Sequence, residues 1–272
     1  MIPAAFEYAR AGSVQEAVEL LGKFGEDAKI LAGGHSLVPL MRLRLAQPTA
    51  LVDINGIQEL DYIVPEDGRL RIGALTRHVT IHRSEAVREQ LPLLAEVAAE
   101  VGDNQVRNMG TIGGVMAHAD SAGDYPTLAV MLDGVIVTNR RRFAAREFFQ
   151  DLFTTPLEPD ELVCEIVFPV ASGPHAYVKF RRRLFDWAIV AAGAQQMPDG
   201  AWRVGLTNCG TTPVRREAVE QALAGGGSPE QAAEHAAEGL SPSGDLRASP
   251  EYKLHLARVL TRRAVEQARA AA

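Results

Sequence analysis

The sequence has few cysteines and no long apolar run, and these two absences exclude several classes of protein. Its two cysteines, Cys164 and Cys209, are too few for a disulfide framework or a clustered metal site, and both lie in apolar runs typical of buried thiols. No stretch of about 18 or more apolar residues occurs, which excludes a transmembrane helix. The first residues lack the basic start and apolar core of a secretory signal, so we expect a cytoplasmic protein.

Signatures of nucleic-acid binding and of hydrolysis are also missing. The net charge of −6 argues against a general nucleic-acid binder. Neither a Gly-x-Ser-x-Gly nucleophile elbow nor a His-Glu-x-x-His zinc motif is present, which disfavours a hydrolase. Two arginine runs, at residues 140–142 and 181–183, are expected to be solvated faces, although either could serve a phosphate or an acidic partner.

A short glycine segment near the start of the chain follows a predicted strand. An apolar run at residues 29–32 predicts a buried strand, which Gly33 and Gly34 interrupt before His35 and Ser36. Glycine permits positive φ and lets the backbone approach a ligand closely. Successive backbone N–H groups in such a turn form an anion-binding concavity suited to a pyrophosphate. Alone, however, such a segment is more often a plain tight turn.

A second segment repeats this design. Thr111 and Ile112 precede Gly113 and Gly114, and Asp124 follows ten residues later. Two such loops could hold one diphosphate from both sides, while the Asp124 carboxylate accepts hydrogen bonds from ribose or ribityl hydroxyls. Neither segment fits the Gly-x-Gly-x-x-Gly or Gly-x-x-x-x-Gly-Lys-Ser/Thr pattern, which disfavours a Rossmann or P-loop site.

With these two segments, the chain resembles the FAD-binding medium subunits of molybdenum hydroxylases, the carbon monoxide dehydrogenase and xanthine dehydrogenase family. The resemblance extends over essentially the whole chain and includes residues 179–188 and a helix start at 248–252. It implies an α+β fold. Its parts are a two-part FAD-binding domain of the vanillyl-alcohol-oxidase/PCMH type and a C-terminal domain with a three-stranded antiparallel sheet and a helical bundle.

The resemblance also implies which residues contact FAD, which the family binds noncovalently. They are the two glycine segments, one carboxylate, apolar residues near the ring, a lysine and an aromatic residue: Leu31, Ala32, Gly33, Gly34, His35, Ser36, Leu37, Val101, Thr111, Ile112, Gly113, Gly114, Val115, Asp124, Leu162, Val163, Lys179 and Trp187. No residue is predicted to be catalytic or to bind a metal. His35 is expected to position the loop or the pyrophosphate.

Three of these residues have alternative interpretations. Val115 stands where many relatives have asparagine, so one side-chain amide is missing. Lys179 is either a cation that stabilises negative charge on the reduced flavin or an ordinary lysine on a strand surface. Trp187 either stacks on the flavin ring or, together with Phe185, belongs to the core on one strand face.

The resemblance implies an electron-transfer function within a larger oxidoreductase. Its partners would be a small subunit with two [2Fe–2S] clusters and a large subunit with the molybdenum cofactor, as a dimer of heterotrimers. Electrons would pass from the clusters to FAD and then to an external acceptor, without nucleic acid or membrane insertion. One family branch carries an extra iron–sulfur cluster on a cysteine-rich loop, which this chain lacks, so we expect flavin only.

Local patterns divide the chain into three predicted parts. Residues 1–55 form an N-terminal α/β subdomain, whose first helix (14–24) carries a capping box between Ser13 and Glu16. Residues 56–173 form a central α+β subdomain that includes a hairpin around Asp67. Residues 174–272 form the C-terminal domain. Other predicted elements are a helix at 38–45, strands at 177–180, 188–195 and 202–209, and helices at 213–224, 229–239 and 250–270.

Two other functions compete with this interpretation. A stand-alone FAD-dependent oxidoreductase of the same fold would need its own substrate pocket with acid–base groups. A scaffold that has lost its flavin would be consistent with Val115, but the intact glycines and Asp124 count against it.

Overall fold

A computed structural model describes residues 2–271, and its first sheet is small and parallel. Strand β3 lies between β1 and β2 and runs parallel to both. The elements of this part are β1 (Glu7–Arg10), α1 (Val14–Phe24), β2 (Lys29–Leu31), α2 (Leu37–Arg42), β3 (Ala50–Asp53) and a 3-10 turn at Gln58–Leu60. The carboxyl end of β2 leads directly into the first glycine segment, as predicted.

The two helices of this part begin and end for local reasons. The Ser13 hydroxyl caps α1 by accepting the Glu16 N–H at 3.1 Å. The predicted capping box also requires the Glu16 carboxylate to accept the Ser13 N–H, and this part of the prediction is wrong. The carboxylate accepts the N–H of Gly12 instead, at 2.7 Å. Helix α2 is shorter than predicted. It ends at Arg42, because Arg44 adopts a left-handed conformation with φ 59°.

The second sheet is antiparallel and has five strands in the order β4-β5-β8-β6-β7. The predicted hairpin is confirmed, with Asp67 and Gly68 at φ 49° and 70°, the two positive values that a tight type I′ turn requires. The strands are β4 (Ile63–Glu66), β5 (Arg69–Gly73), β6 (Val135–Thr138), β7 (Arg142–Ala144) and β8 (Val163–Pro169).

Seven helices accompany this sheet. They are α3 (His78–Arg83), α4 (Glu85–Gln90), α5 (Pro92–Glu100), α6 (Asn104–Met109), α7 (Ile112–His118), α8 (Asp124–Met131) and α9 (Ala145–Phe148). The second glycine segment is not a free loop, because Gly113 and Gly114 lie in the first turn of α7. Thr111 is the N-cap of that helix.

The third sheet is antiparallel, and the three predicted strands are confirmed as β9 (His175–Phe180), β10 (Val190–Gln196) and β11 (Trp202–Thr207). A two-residue strand, β12 (Val214–Arg215), adds a fourth strand at one edge of the sheet by pairing with Gly205 and Leu206. The helix predicted at 213–224 therefore begins only at Glu217. The helices are α10 (Glu217–Ala224), α11 (Pro229–Glu234), a 3-10 turn (His235–Ala237) and α12 (Pro250–Ala270).

Each sheet packs on its own hydrophobic core. The core of the central sheet contains Tyr125, Phe148 and Phe168, which are fully buried. The core beneath the C-terminal sheet is formed with α12, and it contains Cys209. Burial raises the pKa of Cys209 to about 12 and that of Cys164 to about 11, so both thiols are protonated at neutral pH. Across residues 2–271, no helix is both long and apolar enough to cross a membrane.

Candidate functional site

The first glycine segment leaves a row of backbone N–H groups without partners. Within residues 2–271, none of the N–H groups of Gly33, Gly34, His35 and Ser36 donates a hydrogen bond. Gly34 has φ 72°, which favours glycine, and the His35 ring contacts the Gly33 carbonyl at 2.9 Å through Nδ1. Four successive free donors form the anion-binding concavity that the sequence predicts.

The second glycine segment differs from the first in its hydrogen bonds. Its N–H groups already donate within the protein: Ile112 to the Thr76 carbonyl at 3.1 Å, Gly113 to the Ala74 carbonyl at 2.9 Å, and Gly114 to the Thr111 hydroxyl at 3.2 Å. This segment therefore offers a close approach to the helix backbone, and not a second set of free donors. Ile112 points into the core and is fully buried.

The first glycine segment touches the two residues that directly precede the second. A Cβ atom placed on Gly33 would lie 2.5 Å from the Met109 carbonyl oxygen and 2.7 Å from the Gly110 Cα atom. Such a contact is far inside van der Waals range, so only glycine fits at position 33. The chain thus brings together two segments that are separated by about 75 residues in sequence.

A cavity of about 670 Å³ lies beside the two segments and is lined by residues from all three sheet-containing parts. Its volume is in the range of clefts that hold small molecules and cofactors. Every predicted site residue except Ile112 lines this cavity: Leu31, Ala32, Gly33, Gly34, His35, Ser36, Leu37, Val101, Thr111, Gly113, Gly114, Val115, Asp124, Leu162, Val163, Lys179 and Trp187.

A buried ion pair forms part of the cavity wall. Lys179 Nζ donates to Asp124 Oδ2 at 2.8 Å, and the two side chains are only 3% and 5% exposed. The Tyr177 hydroxyl donates to Asp124 Oδ1 at 2.7 Å. Burial raises the pKa of Asp124, while the Lys179 ammonium and the two hydrogen bonds act against that rise. Lys179 is therefore not the surface lysine that the sequence left open.

Apolar and aromatic side chains complete the wall. Leu162 and Val163 are 2% and 5% exposed, and Val101 and Val115 pack partly buried against the central core. Trp187 and Phe185 lie between β9 and β10 and remain about half exposed, at 48% and 50%. The core alternative for these two aromatic residues is therefore wrong. Their faces are available at the cavity.

Comparisons with known proteins agree with this geometry. Residues 4–171 match the family model of the FAD binding domain in molybdopterin dehydrogenase, and residues 175–268 match that of the CO dehydrogenase flavoprotein C-terminal domain. The chain belongs to the FAD-binding medium subunits of the carbon monoxide and xanthine dehydrogenase family. This subunit is thus a component of an oxidoreductase, and its cofactor is FAD.

Individual relatives match this medium subunit over its full length. It is 41% identical to the carbon monoxide dehydrogenase medium chain of Hydrogenophaga pseudoflava, with 98% of each chain covered. It is 38% identical to that of Afipia carboxidovorans, with 100% of this chain and 99% of the relative covered. A solved structure of carbon monoxide dehydrogenase from Hydrogenophaga pseudoflava superposes with a TM-score of 0.95, at 41% identity and 99% coverage of each chain.

Several residues that line the cavity of this medium subunit are not contained in the predicted set. They include His78, Gly110, Tyr125 and the segment around Glu161. Glu161 is buried; burial raises its pKa, but hydrogen bonds from Arg141, Thr138 and the Glu158 N–H outweigh this and hold the pKa at about 2. No short motif marks these residues, because tertiary packing alone brings them to the cavity.

Three arginines of the two runs in the medium subunit pair with acidic residues of their own chain, whereas Arg142, Arg182 and Arg183 are exposed, as expected of solvated faces. Arg140 pairs with Glu158 at 2.7 Å and also with Asp160, and Arg141 pairs with Glu161 at 2.7 Å. Arg181 pairs with Glu100. Arg140, Arg141 and Arg181 are thus tied to acidic residues of their own chain, and the first two fix the segment that borders the cavity.

Proposed function

We propose that the cavity binds FAD noncovalently, with the diphosphate on the free N–H groups of residues 33–36. The observation that carries this proposal is the row of four unpartnered donors in residues that line the cavity. Backbone donors of this kind suit phosphate oxygens, and Gly33 and Gly34 leave room for them. The residues present fit the cofactor that the family assigns.

The predicted contact residues then divide by chemistry. Residues 31–37, Thr111 and residues 113–115 border the diphosphate and ribityl chain, while Val101, Leu162, Val163 and Trp187 offer apolar and aromatic surface to the isoalloxazine ring. Val115 packs against the central core, so its side chain serves the protein interior where an asparagine would have offered an amide.

Asp124 and Lys179 act together in this proposal. Each Asp124 oxygen already accepts one hydrogen bond, and each retains a second lone pair for a cofactor hydroxyl. Lys179 also donates to the Glu100 carbonyl at 3.1 Å, so its ammonium is held in place. We assign Lys179 the role of orienting Asp124 and compensating its charge at the cavity wall.

When bound here, FAD would accept electrons from [2Fe–2S] clusters of a small partner subunit and release them to an external acceptor. A large partner subunit with the molybdenum cofactor would oxidise the substrate, with the whole assembly a cytoplasmic dimer of heterotrimers. Relatives of this chain are named for caffeine dehydrogenase and nicotine 6-hydroxylase as well as for carbon monoxide dehydrogenase. Similar subunits thus occur in enzymes that are named for different substrates, which supports a substrate site outside this chain.

We also propose three structural units, at residues 1–55, 56–173 and 174–272. Each has its own sheet, and the three hydrophobic clusters correspond largely to the three sheets. The cavity receives lining residues from all three. A cofactor bound there would contact every unit, and its binding would therefore stabilise their arrangement.

Rapid mixing tests the electron-transfer function. The FAD-loaded chain is combined with the chemically reduced [2Fe–2S] subunit of the same complex, and flavin absorbance near 450 nm is followed. We expect the flavin band to bleach faster with this partner than with an unrelated reduced ferredoxin. The FAD-loaded chain alone should not oxidise carbon monoxide, purines or aldehydes; turnover of any of these by the chain alone would favour a stand-alone oxidoreductase.

A further inference from the structure

A half-buried arginine lies behind the contact between the two glycine segments, although it does not line the cavity. Arg77 precedes α3, and its guanidinium donates through Nη1 to the Met109 carbonyl. Through Nη2 it donates to Asn55 Oδ1 at 2.7 Å. Met109 lies two residues before Thr111, so one end of the guanidinium group is held next to the start of the second glycine segment.

Asn55 extends the connection to the first segment. Its Nδ2 donates to the Ala32 carbonyl at 2.8 Å, immediately before Gly33. Asp53 in turn orients Asn55, since Asp53 Oδ1 accepts both the Asn55 N–H at 2.8 Å and Nδ2 at 2.7 Å. A continuous chain of hydrogen bonds therefore joins the Ala32 and Met109 carbonyls, and neither Asn55 nor Arg77 lines the cavity.

The guanidinium of Arg77 forms no ion pair with a carboxylate of the described residues. Within residues 2–271, no carboxylate oxygen lies within 4.0 Å of its guanidinium, in contrast to Arg140 and Arg141. Burial lowers the pKa of Arg77, and the more distant Asp61 and Asp53 oppose that effect. Because arginine remains protonated in proteins, a positive charge stands close behind the segments and has no anion of this chain in contact.

We propose that Arg77 and Asn55 are positioning residues for the cofactor diphosphate. They hold the two glycine segments at the spacing that the diphosphate requires, and the guanidinium charge attracts the anion without touching it. This inference rests on the proposed location of FAD and adds to it two residues that no sequence motif indicated. Neither residue is among those proposed to contact the isoalloxazine ring. Their effect on affinity should therefore be confined to ligands that carry phosphate.

Binding of two flavins separates this role from general structural support. The probes are FAD and riboflavin, which has the same ring and ribityl chain but no phosphate, and the full-length variants are Arg77→Gln and Arg77→Lys. We expect Arg77→Gln to raise the Kd for FAD at least tenfold and to change the Kd for riboflavin less than twofold. Arg77→Lys should raise the Kd for FAD less than Arg77→Gln does, because lysine keeps the positive charge and loses only the paired hydrogen bonds of the guanidinium group.

The dependence of FAD binding on salt concentration isolates the contribution of the Arg77 charge. Increasing sodium chloride should weaken FAD binding to the wild-type and Arg77→Lys proteins more steeply than to Arg77→Gln. Asn55→Ala breaks the connection and keeps the charge, so it should raise the Kd for FAD while leaving the wild-type salt dependence intact. Equal salt dependence of wild type and Arg77→Gln would contradict the electrostatic role.

Arg216 supplies a matched control. It is also a half-buried arginine that donates to two carbonyls, those of His235 and Glu238, and it lies in the C-terminal part away from the cavity lining. Arg216→Gln should leave both Kd values unchanged. Wild-type FAD affinity in Arg77→Gln, or an equal loss of FAD and riboflavin binding in that variant, would overturn the role proposed for Arg77. Either result would leave the proposed FAD site unaffected. A wild-type chain that binds neither flavin would contradict the proposed cofactor site as well.

Discussion

Gly33 has no room for a side chain, because the Met109 carbonyl oxygen and the Gly110 Cα atom lie too close to the position that a Cβ atom would take. This contact holds two distant segments together, and the donors that follow Gly33 are those proposed for the diphosphate. The backbone conformation is not the constraint here, since Gly33 has no positive φ whereas Gly34 has φ 72°. At this position glycine is required for the contact between segments.

Gly33→Ala should therefore reduce cofactor binding. The added methyl group must push the two backbone segments apart, and we expect the Kd for FAD to rise at least tenfold, equivalent to about 1.4 kcal/mol or more. Gly22→Ala is the control, because Gly22 lies in α1 with no atom within 4 Å of its added Cβ. That substitution should leave FAD binding unchanged and stabilise the helix by about 0.5–1 kcal/mol. Equal FAD affinity in both variants would contradict this role of Gly33.

His78 is a second residue whose environment predicts a measurable effect. Its ring is 1% exposed, Nδ1 has no hydrogen-bond partner within residues 2–271, and Nε2 packs against Gly110. Burial, followed by electrostatic interaction with Arg77, His35 and Arg107, lowers its pKa from 6.5 to about 3. The neutral ring thus packs behind the second glycine segment.

This shift makes the stability of the apoprotein depend on pH. Below pH 6.5 the unfolded chain binds a proton at His78 that the folded chain does not, so stability falls as pH falls towards 3. Between about pH 6.5 and pH 5 the loss from this residue should be about 2 kcal/mol. Urea unfolding of wild type and His78→Gln at about pH 7 and pH 5 measures it. We expect the stability gap between them to narrow by that amount on acidification; a constant gap would refute the assignment.

At the scale of secondary-structure elements, the ion pair between Asp124 and Lys179 joins helix α8 to strand β9. These elements belong to different sheet-containing parts, and the Tyr177 hydroxyl adds a second bond from β9 to the same carboxylate. The Tyr177 hydroxyl also contacts Thr207 Oγ1 at 3.0 Å on β11. Buried polar groups of this kind are satisfied only when the two elements are docked.

A double-mutant cycle measures this connection. Lys179→Met or Asp124→Asn alone leaves one charge buried without its partner and should cost about 3–5 kcal/mol of unfolding free energy. The double variant should cost clearly less than the sum of the two, since neither charge remains. Arg140→Met, at a half-exposed ion pair, should cost only about 1 kcal/mol or less. Additive costs at Lys179 and Asp124 would show that the pair does not couple the two elements.

At the scale of the whole molecule, the sequence predicted what depends on local pattern. The strand-to-glycine transition at Gly33, the hairpin at Asp67 and the C-terminal helix from Pro250 to Ala270 are all encoded within a few neighbouring residues. A family resemblance supplied the fold class and the cofactor, and the structure places every expected site residue but Ile112 around one cavity.

Features that depend on distant partners were not predictable in this way. Arg140 and Arg141 look like part of a solvated surface until their acidic partners at 158–161 fold against them. Strand β12 has only two residues and exists because β11 lies beside it, so its sequence resembled the start of a helix. The bonds between Arg77, Asn55 and the Ala32 carbonyl join residues that are more than 20 positions apart in sequence. Tertiary packing determined each of these features.

The most direct test of the account is the visible absorption spectrum of the purified chain after incubation with FAD and desalting. We expect retained flavin bands at about one FAD per chain, complete release of that flavin on denaturation, and little retention by Gly33→Ala. A wild-type chain that takes up no FAD, or one that keeps its flavin after denaturation, would contradict noncovalent binding of FAD in this cavity.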